Sequence, residues 1–349
     1  MNRLLLAAKA HKPWRWLWWL PVAWLSWHVL DWAVWRAVLN PDLAACKALQ
    51  HQGACWGVVQ VKGLDWLFGR YPPQERWRPA LAMGLWLGSI LWQCLPVLLG
   101  RTRQQSWPAW LALFAWPAGL WLMSGQGLGL PLVESTLWGG LPLTLLLTAL
   151  TLILGGPLSL AMAWARHKGP AWVSLPVAAV IEVIRGAPLV MWLFGAAFVL
   201  PGLLPADWHW GLLARVLLVT TLFSAAYAAE ILRGSLATVL RDQSEAAAVL
   251  GASWWQTQAK VVVPQVWRNA LPPLTSHAIG VLKDTALVTI VSLQDLTGAM
   301  SVSLNGDADW RPFFLEAYLT VAMLYGFMCL SVTALGKELE AHSRSNGGC

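Results

Sequence analysis

Charge is what this sequence has least of. Only 12% of its 349 residues are Asp, Glu, Lys or Arg, where a soluble domain carries about 25%. Phenylalanine and tyrosine are sparse too, at 8 and 4 residues against 27 tryptophans. Hydrophobic residues make up 57% of the chain, and the mean hydropathy is +0.54. These balances exclude a soluble globular enzyme, a disordered chain and a nucleic-acid-binding domain. There is no Gly-x4-Gly-Lys-Ser/Thr phosphate loop, no Ser/His/Asp set and no zinc-binding helix. No catalytic, cofactor or metal site is therefore expected of this chain, and any ATP chemistry would belong to another subunit. His28, His167, His209 and His277 are isolated, and Cys94, Cys329 and Cys349 have no partner at ligand spacing.

What is present is a series of long apolar runs. A spanning helix needs about 20 mostly apolar residues. About eight stretches qualify, roughly 16–35, 80–99, 107–123, 140–165, 171–200, 212–232, 272–296 and 313–335. The expected fold is an all-α integral membrane protein. Many tryptophans fall near the predicted ends (Trp19, Trp107, Trp138, Trp164, Trp172 and Trp208 among them), as in an interfacial aromatic belt. The first apolar run is too long for a cleavable signal and lacks a small-residue cleavage site, so it reads as a signal anchor.

The net charge of +7 is read as topology. With the N-terminus inside, Arg3, Lys9, Lys12 and Arg15 are cytoplasmic. So are Arg101, Arg103, Arg166, Lys168, Arg233, Arg241, Lys260, Arg268, Lys337 and Arg344, as the positive-inside rule requires. Both termini are then cytoplasmic. The loop at about 40–79 is outside despite Lys47, Lys62, Arg70, Arg76 and Arg78, because the rule weakens over long loops. It holds Cys46 and Cys55. An oxidising compartment would permit a disulfide between them, and two free thiols are the alternative.

The chain divides at 139/140. Residues 1–139 hold three spans and the outside loop; 140–340 hold five spans and a cytoplasmic segment at about 233–271; 341–349 form a tail. The cytoplasmic segment is too polar to span and too apolar for a linker. Its residues predict a helix capped by Ser244, rich in alanine at 246–248 and closed at Gly251. A second run, Trp254 to Val262, should end at Pro264.

This segment carries a motif: Glu245-Ala246-Ala247, three residues, Gly251, nine residues, then Val261 to Pro264. It resembles the EAA loop of bacterial ABC-importer permeases. Ile184 to Leu189, Tyr227 to Gly234, Pro264 to Arg268 and Leu282 to Leu287 resemble, in order, motifs of the polar amino-acid branch of that family. Gly53 to Trp56, Tyr71 to Pro73 and Arg76 to Arg78 look like the outside region of M-type permeases of general L-amino-acid importers. Two positions depart from the pattern: Asp242 precedes Gln243 where Gly is common, and Ala286 follows Thr285 where Ser is common.

The resemblance implies a type I ABC-importer permease core of five helices, with three N-terminal helices added. It implies a subunit of an ATP-driven L-amino-acid importer in the bacterial inner membrane. Glu245, Ala246, Ala247, Gly251 and Pro264 would form the coupling element against a separate ABC ATPase, which binds the ATP. Further partners would be a periplasmic amino-acid-binding protein, a second permease in a heterodimer and membrane lipid; no nucleic acid is expected. Glu230, Lys283 and Asp295 are candidate residues of the translocation path, since an amino acid needs both a cation and an anion. Glu182 and Arg185, three apart, are expected to share a helix face, as a pore-side pair or a salt bridge near the inner end. The competing reading is an ion-coupled secondary amino-acid transporter, whose usual internal repeats are not evident here.

Overall fold

The computed structural model describes residues 19–49, 52–98, 110–125, 127, 129–205, 207–208, 210–239 and 241–345. The predicted inner arginines and lysines at 3–15 and 101–103 lie outside them. Apart from the two-residue strand Gln294–Asp295, the elements are helical. In order they are α1 Trp19–Leu30, α2 Leu43–Ala48, α3 Gly57–Phe68, α4 Trp77–Leu98, α5 Trp110–Ser124, α6 Gly140–Lys168, α7 Ala171–Gly186, α8 Leu189–Leu203 and α9 Leu212–Ala237. There follow α10 Arg241–Val249, α11 Trp254–Val291, α12 Leu296–Asn305 and α13 Phe314–Ser345.

Among the described residues, four helical stretches are long and apolar enough to cross a membrane: α6, α9, α11 and Arg311–Ser343. Helices α7 and α8 make a fifth if counted as one span, since they meet at 100°. The break falls at Gly186-Ala187-Pro188, where proline disfavours helix at the preceding residue. The expected count of about eight is not confirmed among the described residues. Helix α1 is described over 12 residues and α5 over 15. Helix α4 is described over 22 residues, Trp77–Leu98, and is not one of these stretches.

Two further expectations change. Helix α10 begins at Arg241, so Ser244 lies within its first turns and does not cap it. The run from Trp254 does not stop at Pro264. A π-helical turn, Gln258–Val262, carries the chain through, with Val263 N–H donating to the Gln258 carbonyl. Pro264 then sits in the first turn of the resumed α-helix, where a missing N–H costs least.

The chain forms two compact units, Met1–Gly63 with Leu304–Thr320, and Leu64–Ser303 with Val321–Cys349. In the first, Cys46 and Cys55 are joined by a disulfide, with Cα atoms 5.4 Å apart. Asp42 caps α2 by accepting from the N–H of Ala44 at 2.9 Å and of Ala45 at 3.2 Å. Cys55 N–H donates to the buried Glu316 carboxylate at 3.0 Å. Lys47 pairs with Asp309 and Lys62 with Asp307, both at 2.7 Å. The Lys62 ammonium holds the Asp307 carboxyl below its usual range.

In the second unit α6 and α9 form the most extensive helix pair. Small residues allow it: a Cβ added at Gly155 would stand 3.5 Å from the Thr221 carbonyl. Thr151 and Thr220 hydrogen-bond across the seam at 3.0 Å. Leu143, Leu146, Leu147, Val216, Val288 and Val291 fill the core between α6, α9 and α11. Arg78 is fully buried and donates to the carbonyls of Leu122 at 2.7 Å, Pro131 at 3.0 Å and Met123 at 3.2 Å. Tyr71 donates to Met123 at 2.8 Å, and burial pushes its phenol up to about 12.

The start of α6 is pinned by backbone. Gly139 and Gly140 bridge to Gln294 and Asp295. Gly140 has φ +67°, and a Cβ there would lie 2.1 Å from the Leu67 carbonyl oxygen. Gly140→Ala should therefore lower the thermal stability of the detergent-purified protein, by about 1–3 kcal/mol from backbone strain alone. Gly156→Ala, where nothing lies within 4 Å, should not. Cys46 and Cys55 should take up maleimide only after reduction, and Cys46→Ser should cost about 2–4 kcal/mol, read as a lower unfolding midpoint.

Candidate functional site

Helices α6, α9 and α11 and the α7–α8 break enclose a cavity of about 380 Å³. Its lining from α9 is Thr220, Phe223, Ser224 and Tyr227; from α11 it is His277, Gly280, Val281, Asp284 and Val288, with neighbours. These spacings of three and four put each set on one helix face. Pro188, Leu189 and Val190 close one side, where the helix break turns the chain inward. His277 Nε2 and Ser224 Oγ are hydrogen-bonded at 2.8 Å. Most of the remaining surface is apolar, so the site is a greasy chamber with a few polar groups, the common form of a small-molecule site.

A second cluster surrounds Glu230 of α9. Arg233 donates to both carboxylate oxygens, through Nε to Oε1 at 3.2 Å and to Oε2 at 3.1 Å, and through Nη2 to Oε2 at 3.0 Å. Arg166 of α6 hydrogen-bonds the same carboxylate, and Arg185 of α7 pairs with it at 3.6 Å. Arg166 also reaches Glu182 of α7 at 3.1 Å. One carboxylate thus ties three helices. The partner expected for Glu182 was Arg185; the partner found is Arg166, because the helix ends converge and tertiary geometry outweighs the i,i+3 spacing. Arg185 instead lies over the ring of Tyr227, 5.3 Å from its centroid, linking this cluster to the cavity wall.

The third feature is the turn between α10 and α11. Gly251, at φ +80°, closes α10. Gly251 N–H donates to Ala248 at 3.0 Å and Ala252 N–H to Ala247 at 3.0 Å, the paired bonds of a Schellman ending. Ser253 and Gln256 then form a reciprocal capping box that starts α11. The result is a rigid corner with its apolar side chains outside: Val249 is 87% exposed, Leu250 88% and Trp255 76%. Glu245 and Ala246 are exposed on α10, Ala247 is buried beneath it, and Pro264 is half-buried on α11.

The predicted path residues are not brought together. Glu230 sits in the arginine cluster. Lys283 is exposed, and Asp295 is fully buried. Asp295 accepts from Thr289 Oγ1 and Gly298 N–H, each at 2.9 Å, and from Tyr325 OH at 2.6 Å. None of the three lines the cavity. Sequence reasoning passed over His277, Ser224, Tyr227 and Asp284 as cavity residues. The available signal was polar residues at helical spacing within apolar helices, Thr220, Ser224 and Tyr227 on α9 and His277 and Asp284 on α11.

The chain belongs to a known class. Residues 155–344 match the family of binding-protein-dependent transport system inner membrane components, and this chain is a member of that family. It is therefore an integral, multi-pass membrane subunit of the permease type. Its relatives sharpen this. It is 33% identical over 292 residues to the inner membrane amino-acid ABC transporter permease protein YhdY of Escherichia coli K12, covering 82% of this chain and 77% of the relative. It is 30% identical over 358 residues to the glutamate/glutamine/aspartate/asparagine transport system permease protein BztC of Rhodobacter capsulatus, covering 85% of this chain and 82% of the relative. Among solved structures it resembles an amino acid ABC transporter crystallised with histidines, at 30% identity and a TM-score of 0.52, over 58% of this chain and 91% of that one. The chain stands with the amino-acid ABC permeases, as its motifs suggested.

The arginine cluster generates a test. Glu230→Gln leaves three guanidiniums without their shared carboxylate. It should destabilise the protein by roughly 1–3 kcal/mol, less than a fully buried pair would lose because the arginines are 21–40% exposed. Glu182→Gln, at a side chain 60% exposed, should stay within about 0.5 kcal/mol. Thermal unfolding in detergent reads both.

Proposed function

We propose that this chain is the translocation subunit of a binding-protein-dependent, ATP-driven importer of L-amino acids, coupled to its ATPase through the α10–α11 corner. The observation that carries this is the corner itself. A monomer gains nothing by ordering Val249, Leu250 and Trp255 in water, while a groove on another protein would bury them. The double cap at Gly251 and Ser253 makes the corner stiff enough to transmit a push. Glu245 and Ala246 lie on the exposed face of α10, as a contact residue and a low-relief neighbour require, while Ala247, Gly251 and Pro264 shape the corner from within.

The corner joins α9 through residues 238–240, and Glu230 lies about two turns up that helix. Movement of the corner would strain the Glu230 ion pairs and, through Arg185 and Tyr227, the cavity wall. That is a bistable element worked from a distance. On this reading the corner and the arginine cluster are cytoplasmic, both termini are cytoplasmic, and the disulfide-bonded loop is periplasmic. A binding protein would deliver the amino acid there, and a second, related permease would complete the path in a heterodimer.

Glu245→Lys should leave the protein in the membrane but reduce co-purification of the ATPase subunit by at least about tenfold, the loss of about 1.4 kcal/mol of binding. Gly251→Asp should do the same by distorting the corner. Normal ATPase recovery and normal uptake in both variants would remove the corner from the mechanism. Amino-acid uptake into liposomes by this chain alone, driven by an ion gradient, would replace the proposal with a secondary transporter.

A further inference from the structure

The cavity contains one carboxylate, Asp284, and no lysine or arginine lines it. Among the described residues nothing hydrogen-bonds or ion-pairs with the Asp284 side chain, which is half-buried. This sets it apart. Glu230 has its arginines, Asp295 its three donors and Glu316 the Cys55 N–H. Lys283 is no partner, since adjacent residues on a helix point about 100° apart and Lys283 is exposed and off the cavity. His277 is already engaged with Ser224 at 2.8 Å. A carboxylate in an apolar helix within a membrane is costly unless a cation meets it. The described residues supply none, so the cavity is built to receive one.

We propose that Asp284 anchors the ammonium group of the amino acid as it passes through this cavity, and that the cavity favours neutral and cationic side chains over acidic ones. The cavity, about 380 Å³, is of the size that encloses a small molecule. The hydroxyl of Tyr227, on the lining, can donate to the α-carboxylate, and that of Ser224 can as well when His277 Nε2–H is the donor of their shared hydrogen bond. Nothing charged is left for a second carboxylate, which would also be repelled by Asp284. The inference rests on the proposed function: it says what the path recognises, given that this is the path.

The test uses the assembled complex of this chain with its partner permease and ATPases in lipid nanodiscs. Binding of tritiated L-glutamine, L-arginine and L-glutamate is measured up to millimolar concentrations. L-Glutamine and L-arginine should bind at least about tenfold more tightly than L-glutamate, the scale of one charge-assisted contact. Asp284→Asn should weaken the first two about tenfold and bring the three toward equality, and Asp284→Glu should restore the order. On the unmodified complex glutaramate, which is glutamine without its ammonium, should compete at least about tenfold less well than L-glutamine; this arm needs no variant to fold. Binding of none of the three overturns the proposal. So does effective competition by glutaramate, an unchanged pattern in Asp284→Asn, or a loss of all three by one common factor. ATP-driven uptake by the whole assembly with its binding protein tests the transport reading separately. Absence of uptake in the unmodified assembly would sink that reading, whereas normal uptake with an unchanged Asp284→Asn binding pattern sinks only this one.

Discussion

Hydrocarbon offers no partner to a charge, and most of this molecule's architecture follows from that constraint. An unpaired ion inside costs several kcal/mol, so each buried charge becomes a fastening between elements far apart in sequence. Glu230 draws arginines from α6, α7 and its own helix. Asp295 gathers a threonine, a backbone N–H and the tyrosine of α13. Arg78 collects three carbonyls from the end of α5 and the segment after it. With so few ionisable residues available, each one that is buried is spent on position. Among the described residues the half-buried Asp284 is the exception, and an exception under so strict a rule is informative.

What could be read in the sequence was local, and what could not be read was tertiary. Helix α6 starts at Gly140, where the apolar run begins, and Gly251 closes α10, because a residue at φ +80° leaves little alternative to glycine. Pro264 misled because proline was read as a terminator, while a preceding π turn removes the need for its N–H. The Glu182–Arg185 pairing misled because i,i+3 spacing reports proximity, not preference, and Arg166 arrives from another helix. The N-terminal spans were counted by length and apolarity. Among the described residues α1 extends over 12 residues and α5 over 15, short of the about 20 that a span needs.

The cavity was legible in principle. Its polar residues recur every three or four positions along α9 and two turns apart on α11, but each is an ordinary residue alone. Charge in the sequence points instead to Glu230, Lys283 and Asp295. The structure separates these by role: one bundles helix ends, one faces outward, one seals a backbone junction. Charge in a membrane protein marks function only after its partners are counted.

The two ends of α6 are held by different physics, and this bears on how such a subunit could move. At Gly140 the contacts are backbone against backbone, with no room for a methyl group and with Asp295 sealed beside them. Such a junction cannot slide without losing hydrogen bonds that nothing nearby would replace. At Arg166 the contacts are ion pairs to two carboxylates, partly exposed, with the Arg185 pair long at 3.6 Å. Guanidiniums with several acceptors can exchange partners at little cost. A pivot at the first end and a latch at the second follow. The cavity lies along the lever between them, and the α10–α11 corner, which we propose couples to the ATPase, joins α9 beside the latch. A small displacement of the corner would then open or close the chamber around Asp284 while the pinned end stays fixed.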